Sequence, residues 1–336
     1  MNNNNRRARR WLAAPVLGLA ALGAHAQSNV SVYGLIDVSA GATKNPGGAS
    51  VTGVDSGKLT TSNIGFGGSE DLGGGLSAQF KLEAFFRADT GETGRFNGDP
   101  MFARTASVGL SHKQWGTINL GRTTTQLFVA TLSFNALGDS FGYSPSIRHY
   151  FGGGQGVTTG DTGWNDSIAY SSPVISGFRF GATVTSKESA AGVGNGGNWS
   201  AGLSYSGGPL AATVVYQSVK KDGAAAVQDT ETTQVGASYD AGVARGFLQV
   251  GRVKNLTTGN RFDLTGLGVR VPVGKGAAVA QFGRLDPRVG AERNTLSVGY
   301  LYNFSRRTEG YVVVMNDKVD GLSSGGGYSV GIRHRF

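Results

Sequence analysis

The chain ends in Tyr328-Ser329-Val330-Gly331-Ile332-Arg333-His334-Arg335-Phe336, and the alternation of this stretch decides the fold. Tyr328, Val330, Ile332, His334 and Phe336 share one face of an extended strand, and Ser329, Arg333 and Arg335 share the other. The first face suits an apolar environment and the second a wet, positive one. Upstream, Leu76, Ala78, Phe80, Leu82 and Ala84 alternate with Ser77, Gln79, Lys81, Glu83 and Phe85 in the same way. A period of two is the signature of a strand with two unlike faces. A water-soluble sandwich would bury the apolar set, whereas a membrane barrel turns it to lipid.

Number and closure favour the barrel. Strands are predicted at 29–41, 57–69, 75–88, 102–112, 115–123, 164–171, 176–186, 198–206, 209–220, 231–240, 242–254, 261–271, 276–286, 293–303, 306–316 and 326–336. An even set of segments near the length of a tilted spanning strand is what a single-chain barrel requires. The last strand must then pair with the first, because open edges have no partner in lipid. The spacers alternate in length. Asp71–Gly74, Ser111–Gln114, Ser206–Pro209 and Phe304-Ser305 are tight turns, while 42–56, 89–101, 187–197, 221–230, 287–292 and 317–325 are long. The expected class is all-β, a transmembrane antiparallel barrel of 16 strands.

The N-terminus sets the route. Residues 1–10, MNNNNRRARR, are basic; 11–23, WLAAPVLGLAALG, are apolar; Ala24-His25-Ala26 follows as a small-residue cleavage site. This is the build of a secretory signal peptide, so 1–26 is expected to be removed and 27–336 to form the barrel. Loss of Arg6, Arg7, Arg9 and Arg10 lowers the formal charge from +9 to about +5. No later stretch has the length of apolar sequence a spanning helix needs. The 56 glycines and 8 prolines fit many turns rather than a large α/β enzyme.

Catalytic and metal chemistry find no footing. There is no cysteine, and His25, His112, His149 and His334 show no metal-ligand spacing. A Ser-His-Asp group is recognised by geometry, so the sequence leaves that alternative open. No cofactor motif is present. The positive charge is spread along strands rather than gathered in a patch, which argues against nucleic acid.

Several stretches resemble one family. Val30-Ser31-Val32-Tyr33-Gly34-Leu35-Ile36-Asp37 is similar to the first strand of the Gram-negative trimeric general porins in the β-proteobacterial branch. Gly65–Leu76 resembles their GxxGxEDLGGGL segment, Phe80-Lys81-Leu82-Glu83 their third strand, and Ala106–Leu110 and Ile118–Arg122 their fourth and fifth. Ser167–Pro173 and the Val330–Phe336 terminus extend the likeness over nearly the whole mature chain. The resemblance implies a homotrimer in the outer membrane of a Gram-negative bacterium. It implies contact with outer-membrane lipid and lipopolysaccharide, and passive diffusion of small hydrophilic solutes and ions. It also implies that Phe336 belongs to the signal read by the barrel assembly machinery.

The resemblance further implies that the long stretch 123–163, after the fifth strand, folds inward and narrows the channel. Acids on that loop would face arginines on the wall. Arg104 and Arg122 match wall positions by motif, and Asn63 stands where a third arginine is expected. By phase alone Lys81, Glu83 and Arg87 also face the channel. Asp139 is the acid near the loop tip, and Arg148 adds positive charge. Arg87, Arg104, Arg122 and Arg148 against Glu83 and Asp139 give an expectation of mild anion preference.

Overall fold

The computed structural model describes residues 29–152, 157, 159, 162–186, 197–220 and 229–336. The expected signal peptide lies outside them. The strands are β1 Asn29–Lys44, β2 Ser50–Ser56, β3 Asn63–Gly73, β4 Leu76–Phe85, β5 Thr105–His112, β6 Gly116–Thr124, β7 Gly163–Ser171, β8 Phe178–Thr185 and β9 Trp199–Gly207. They continue as β10 Leu210–Lys220, β11 Asp229–Asp240, β12 Arg245–Asn255, β13 Arg261–Val273, β14 Gly276–Pro287, β15 Arg293–Asn303, β16 Thr308–Val319 and β17 Gly325–Arg335. Two helices, α1 Gln126–Ser133 and α2 Pro145–Phe151, lie between β6 and β7.

All pairings are antiparallel, and each strand from β4 to β16 pairs with both of its sequence neighbours. Closure is made by β1 and β17, with Leu35 opposite Arg335 and Lys44 opposite Gly326. Phe336 completes it: its N–H donates to Gly34 O (3.1 Å), and its C=O accepts from Gly34 N–H (3.2 Å).

Seventeen strand segments fill 16 positions, because one strand is split. The Val38–Lys44 half of β1 pairs with β2, and its Asn29–Leu35 half pairs with β3. β2 and β3 are thus collinear, interrupted at 57–62. The alternation in the sequence predicts a strand across this break and a loop over 42–56, and the structure corrects both. The interruption has a local cause. The Asp37 carboxylate accepts the backbone N–H groups of Leu59 (2.8 Å) and Thr60 (2.6 Å), and Ser62 Oγ accepts from Asp37 N–H (3.0 Å). Two backbone donors that leave the ladder at the break, those of Leu59 and Thr60, are thus satisfied by one buried carboxylate, and Gly57 N–H by the Asp37 carbonyl (2.9 Å).

The outer face is a band of exposed apolar side chains, including Val214, Val235, Val250, Phe282, Val298, Val314 and Ile332. This is the lipid-facing arrangement of a transmembrane barrel. The inner face is of two kinds. On β10–β16 it carries buried apolar residues such as Val215, Val253, Leu264, Val279, Leu285 and Val313, so a run like Tyr311–Met315 is apolar on both faces. The reason is the segment 125–152, whose helices pack on this wall: α1 against β8–β11 and α2 against β13–β15. Around β3–β7 the inner face stays polar.

Candidate functional site

The segment after β6 is built to pack. Thr125 caps α1 by accepting the N–H of Phe128 at 3.3 Å, and Ser144 caps α2 by accepting the N–H of Ile147 at 3.3 Å, with Pro145 in the first turn. Leu127, Ala130, Ile147 and Tyr150 then turn to the wall and are buried. The wall answers with glutamines at matching strand positions. Gln217 donates to Thr159 O (2.5 Å), Gln234 to Thr131 Oγ1 (2.9 Å), Gln249 to Thr131 O (2.7 Å) and Gln281 to Ser146 Oγ (3.0 Å). Glycines give the clearance: a Cβ on Gly251 would overlap Tyr150 Oη, and one on Gly283 would fall 2.5 Å from Pro145 Cβ.

The tip of the segment is fastened at the strand break. Ser140 Oγ donates to Lys58 O (2.7 Å), Gly142 N–H donates to the same oxygen (3.1 Å), and Tyr143 Oη bonds Ser329 Oγ of β17. Asp139 accepts from Thr60 Oγ1 (3.0 Å), while Thr60 itself receives Arg333 Nη1 (2.6 Å). Arg333 also donates to Glu309 (2.7 Å). Asp139 therefore belongs to a network that binds the tip to β16 and β17.

Arg148 is held by charge rather than standing free. Its Nη2 meets Asp317 Oδ2 at 3.0 Å, and Arg293 grips the same carboxylate from the other side (Nε to Oδ1, 2.8 Å). Beside them His149 Nε2 lies 2.9 Å from Thr295 Oγ1. Burial pushes the His149 imidazole down to about 3, Arg293 and Arg148 push the same way, and Asp317 opposes them. The ring is neutral at physiological pH.

The open part of the interior is a cavity of about 730 Å³ against β1 and β3–β7, lined by Tyr33, Gln79, Lys81, Thr105, Ser107 and Asn119 among others. Lys81 is exposed on this wall. Glu83, one pleat along, accepts from Tyr33 Oη (2.8 Å) and lies 3.4 Å from Arg104 Nε. Arg104 sits just before β5, its guanidinium 5.8 Å from the Phe85 ring centroid. Asn63 is buried on the same face, opposite Phe85 and bonded to Thr61 O at 2.9 Å. The structure thus brings Lys81, Glu83, Arg104 and Asn63 to one wall.

Three other sequence candidates sit apart. Arg87 folds back in the loop after β4, paired with Glu92 (2.8 Å) and Asn97 (2.7 Å). In the same loop burial raises the Asp99 carboxyl, but hydrogen bonds and charge from Arg95 outweigh this and hold it below its ordinary value. Arg122 pairs with Ala106 and alternates with Gly121 and Thr123, out of phase with the inner wall. It donates to Ala103 O (2.5 Å) and Asn165 Oδ1 (2.8 Å) near a β7 bulge at Asp166, where φ is +49°. The motif spacing that singled it out carries no phase information across such a bulge. Phe336 lies at the β1–β17 seam. Arg293, Asp317, Arg333 and the four wall glutamines had a faint sequence signal: each is a polar residue alternating with lipid-face apolar neighbours.

The chain is similar to known porins over its length. Outer membrane porin protein 32 of Delftia acidovorans is 32% identical, over 95% of this chain and 97% of that protein. A second outer membrane porin protein, from Bordetella pertussis, is 28% identical, over 97% of this chain and 99% of that protein. Among solved structures, the anion-selective porin from Comamonas acidovorans aligns with a TM-score of 0.77 at 27% identity, covering 92% of this chain and all of that one. A family model described as Gram-negative porin matches residues 13–322. With a closed barrel, a lipid-facing band and a polar interior cavity, the chain belongs to the Gram-negative porin family, as a water-filled diffusion channel of the outer membrane rather than an enzyme.

Proposed function

We propose that the protein is a homotrimeric general diffusion porin with mild anion preference, passing small hydrophilic solutes and ions. The segment 123–163 is its inward-folded constriction loop. The observation that carries this reading is the division of the interior. One side is filled by the loop, packed on β8–β11 and β13–β15, and the other side is the polar cavity lined by Lys81, with the Glu83–Arg104 pair beside it. Lys81, Glu83, Arg104 and Asn63 form the pore-facing set. Asp139 and Arg148 act on the pore by fixing the loop rather than by meeting solute. Support for the anion preference comes from Lys81, Arg179, Arg245 and Arg270, which share the inner phase. Among the described residues none of them has an ion-pair partner within 4.0 Å. The likeness to an anion-selective porin points the same way. A narrow passage with low-dielectric walls amplifies such fixed charge.

Residues 1–26 act as a signal peptide, giving a mature N-terminus at Gln27. The partners are outer-membrane lipid and lipopolysaccharide, together with an assembly machinery that reads the strand ending in Phe336. Reversal potentials across planar bilayers in a KCl gradient test the central claim. Anion preference is expected, and a cation preference rejects it. Three-step closures of single insertions test the trimer.

A further inference from the structure

Helix α1 buries Leu127 and Ala130 but leaves Val129 44% exposed. That side chain looks over a second cavity, of about 520 Å³, between α1 and the wall made by β8–β10, with Arg245 of β12 at its edge. Its apolar lining includes Val129, Phe134 and Val215. Two arginines share it. Arg179 follows the inner phase of Gly181 and Thr183, at the end of β8 nearest the tight turn 172–177. Arg245 follows the inner phase of Phe247, just after the short turn 241–244.

Neither arginine has an ion-pair partner within 4.0 Å among the described residues. Arg245 packs 5.1 Å over the Phe247 ring and donates Nη2 to Ser238 Oγ (2.9 Å). Its Nε is buried with no partner. The acid opposite it in register, Asp240, is engaged by the Gly242 N–H at 2.9 Å. A buried guanidinium donor without an acceptor is costly, and a guanidinium edge is shaped for a carboxylate. An apolar cavity with a few convergent polar groups is the usual form of a small-molecule site.

We propose that this crevice is a subsite for small amphiphilic monoanions, such as aromatic carboxylates. The carboxylate lies on Arg245 with Arg179 supplying the second positive charge, and the ring lies over Val129 and Phe134. It rests on the reading that loop 123–163 borders an open channel. Because Arg179 and Arg245 lie beside short turns, solutes reach it from the short-turn mouth of the barrel.

The test is KCl conductance of the purified full-length protein in planar bilayers, with benzoate or acetate added to either side. Benzoate is expected to reduce conductance saturably, at concentrations about tenfold below acetate, which is the worth of one partly buried ring face. The effect should be stronger from the short-turn side. Val129→Ser should weaken benzoate block and leave acetate unchanged. Arg179→Gln with Arg245→Gln should abolish benzoate block while KCl conductance persists. Equal action of the two acids overturns the proposal, as does block that survives in the conducting double variant. Absence of KCl conductance in the unmodified protein overturns the channel reading itself, and the subsite with it.

Discussion

Glu83 and Arg104 approach to 3.4 Å beside the open cavity, with the cavity-lining Tyr33 donating its Oη to the same carboxylate. Glu83 thus offsets part of the positive field that anions meet there. Glu83→Gln is expected to raise the chloride-to-potassium permeability ratio roughly twofold, and Arg104→Gln to lower it by a similar factor. Reversal potentials read both, and equal ratios for the two variants would remove this wall from the selectivity. His149 makes a pH prediction. Its pKa in the folded protein is lowered to about 3 from 6.5, so the neutral ring stabilises the docked loop fully above about 6.5. That contribution is lost progressively as pH falls toward 3. Loop docking should therefore weaken on acidification, seen as growing protease cleavage within 126–151. His149→Gln should flatten that dependence. A cleavage profile unchanged between pH 7 and 4 would rule out the mechanism.

At the scale of elements, the split between β2 and β3 hangs on Asp37, which accepts the Leu59 and Thr60 N–H groups and Tyr311 Oη. Asp37→Ala strands those buried donors, at about 1–3 kcal/mol. The variant should unfold at correspondingly lower urea, with its far-UV spectrum unchanged. Helix docking depends on bare wall: Gly251→Val puts a side chain where Tyr150 Oη lies. The expected result is a displaced loop, with altered single-channel conductance and an intact barrel by gel mobility. These elements are unequally legible in the sequence. The phase of Leu76–Phe85 and of Tyr328–Phe336 alone assigns Lys81, Glu83 and Arg333 to the inner face, because a period of two is a local property. The split strand is not readable, since Gly57–Ser62 leaves the ladder for a carboxylate 22 or more residues earlier. Nor is the company of Arg148: Asp317 lies 169 residues away. Helices α1 and α2 carry capping signals in Thr125 and Ser144-Pro145. Each is nonetheless too short to show a helical period beside so much alternation.

For the whole molecule, the unusual feature is an inner wall that carries buried apolar side chains among its polar ones from β10 to β16. A barrel with a uniformly wet lumen would alternate strictly, and its constriction loop would be dispensable for folding. Here Val215, Val253, Leu264, Val279, Leu285 and Val313 are each buried on the inner face, and removing the loop would wet them. At roughly 1.5–3 kcal/mol for each of the six side chains, the exposure amounts to at most about 18 kcal/mol. The loop's own ordering entropy returns part of this. Replacing 127–150 by a short Gly-Ser linker should therefore give a barrel that still closes through β1 and β17, because that seam is backbone pairing. Its loss of heat-resistant gel mobility should come at a clearly lower temperature. Adding Val253→Gln and Leu264→Thr to the shortened chain should recover part of the loss, whereas in the intact chain the same pair should destabilise. A shortened barrel as heat-resistant as the full one would mean that the loop rests on the wall without supporting it. Opposite signs for the paired substitutions in the two backgrounds would establish that constriction and barrel share one core.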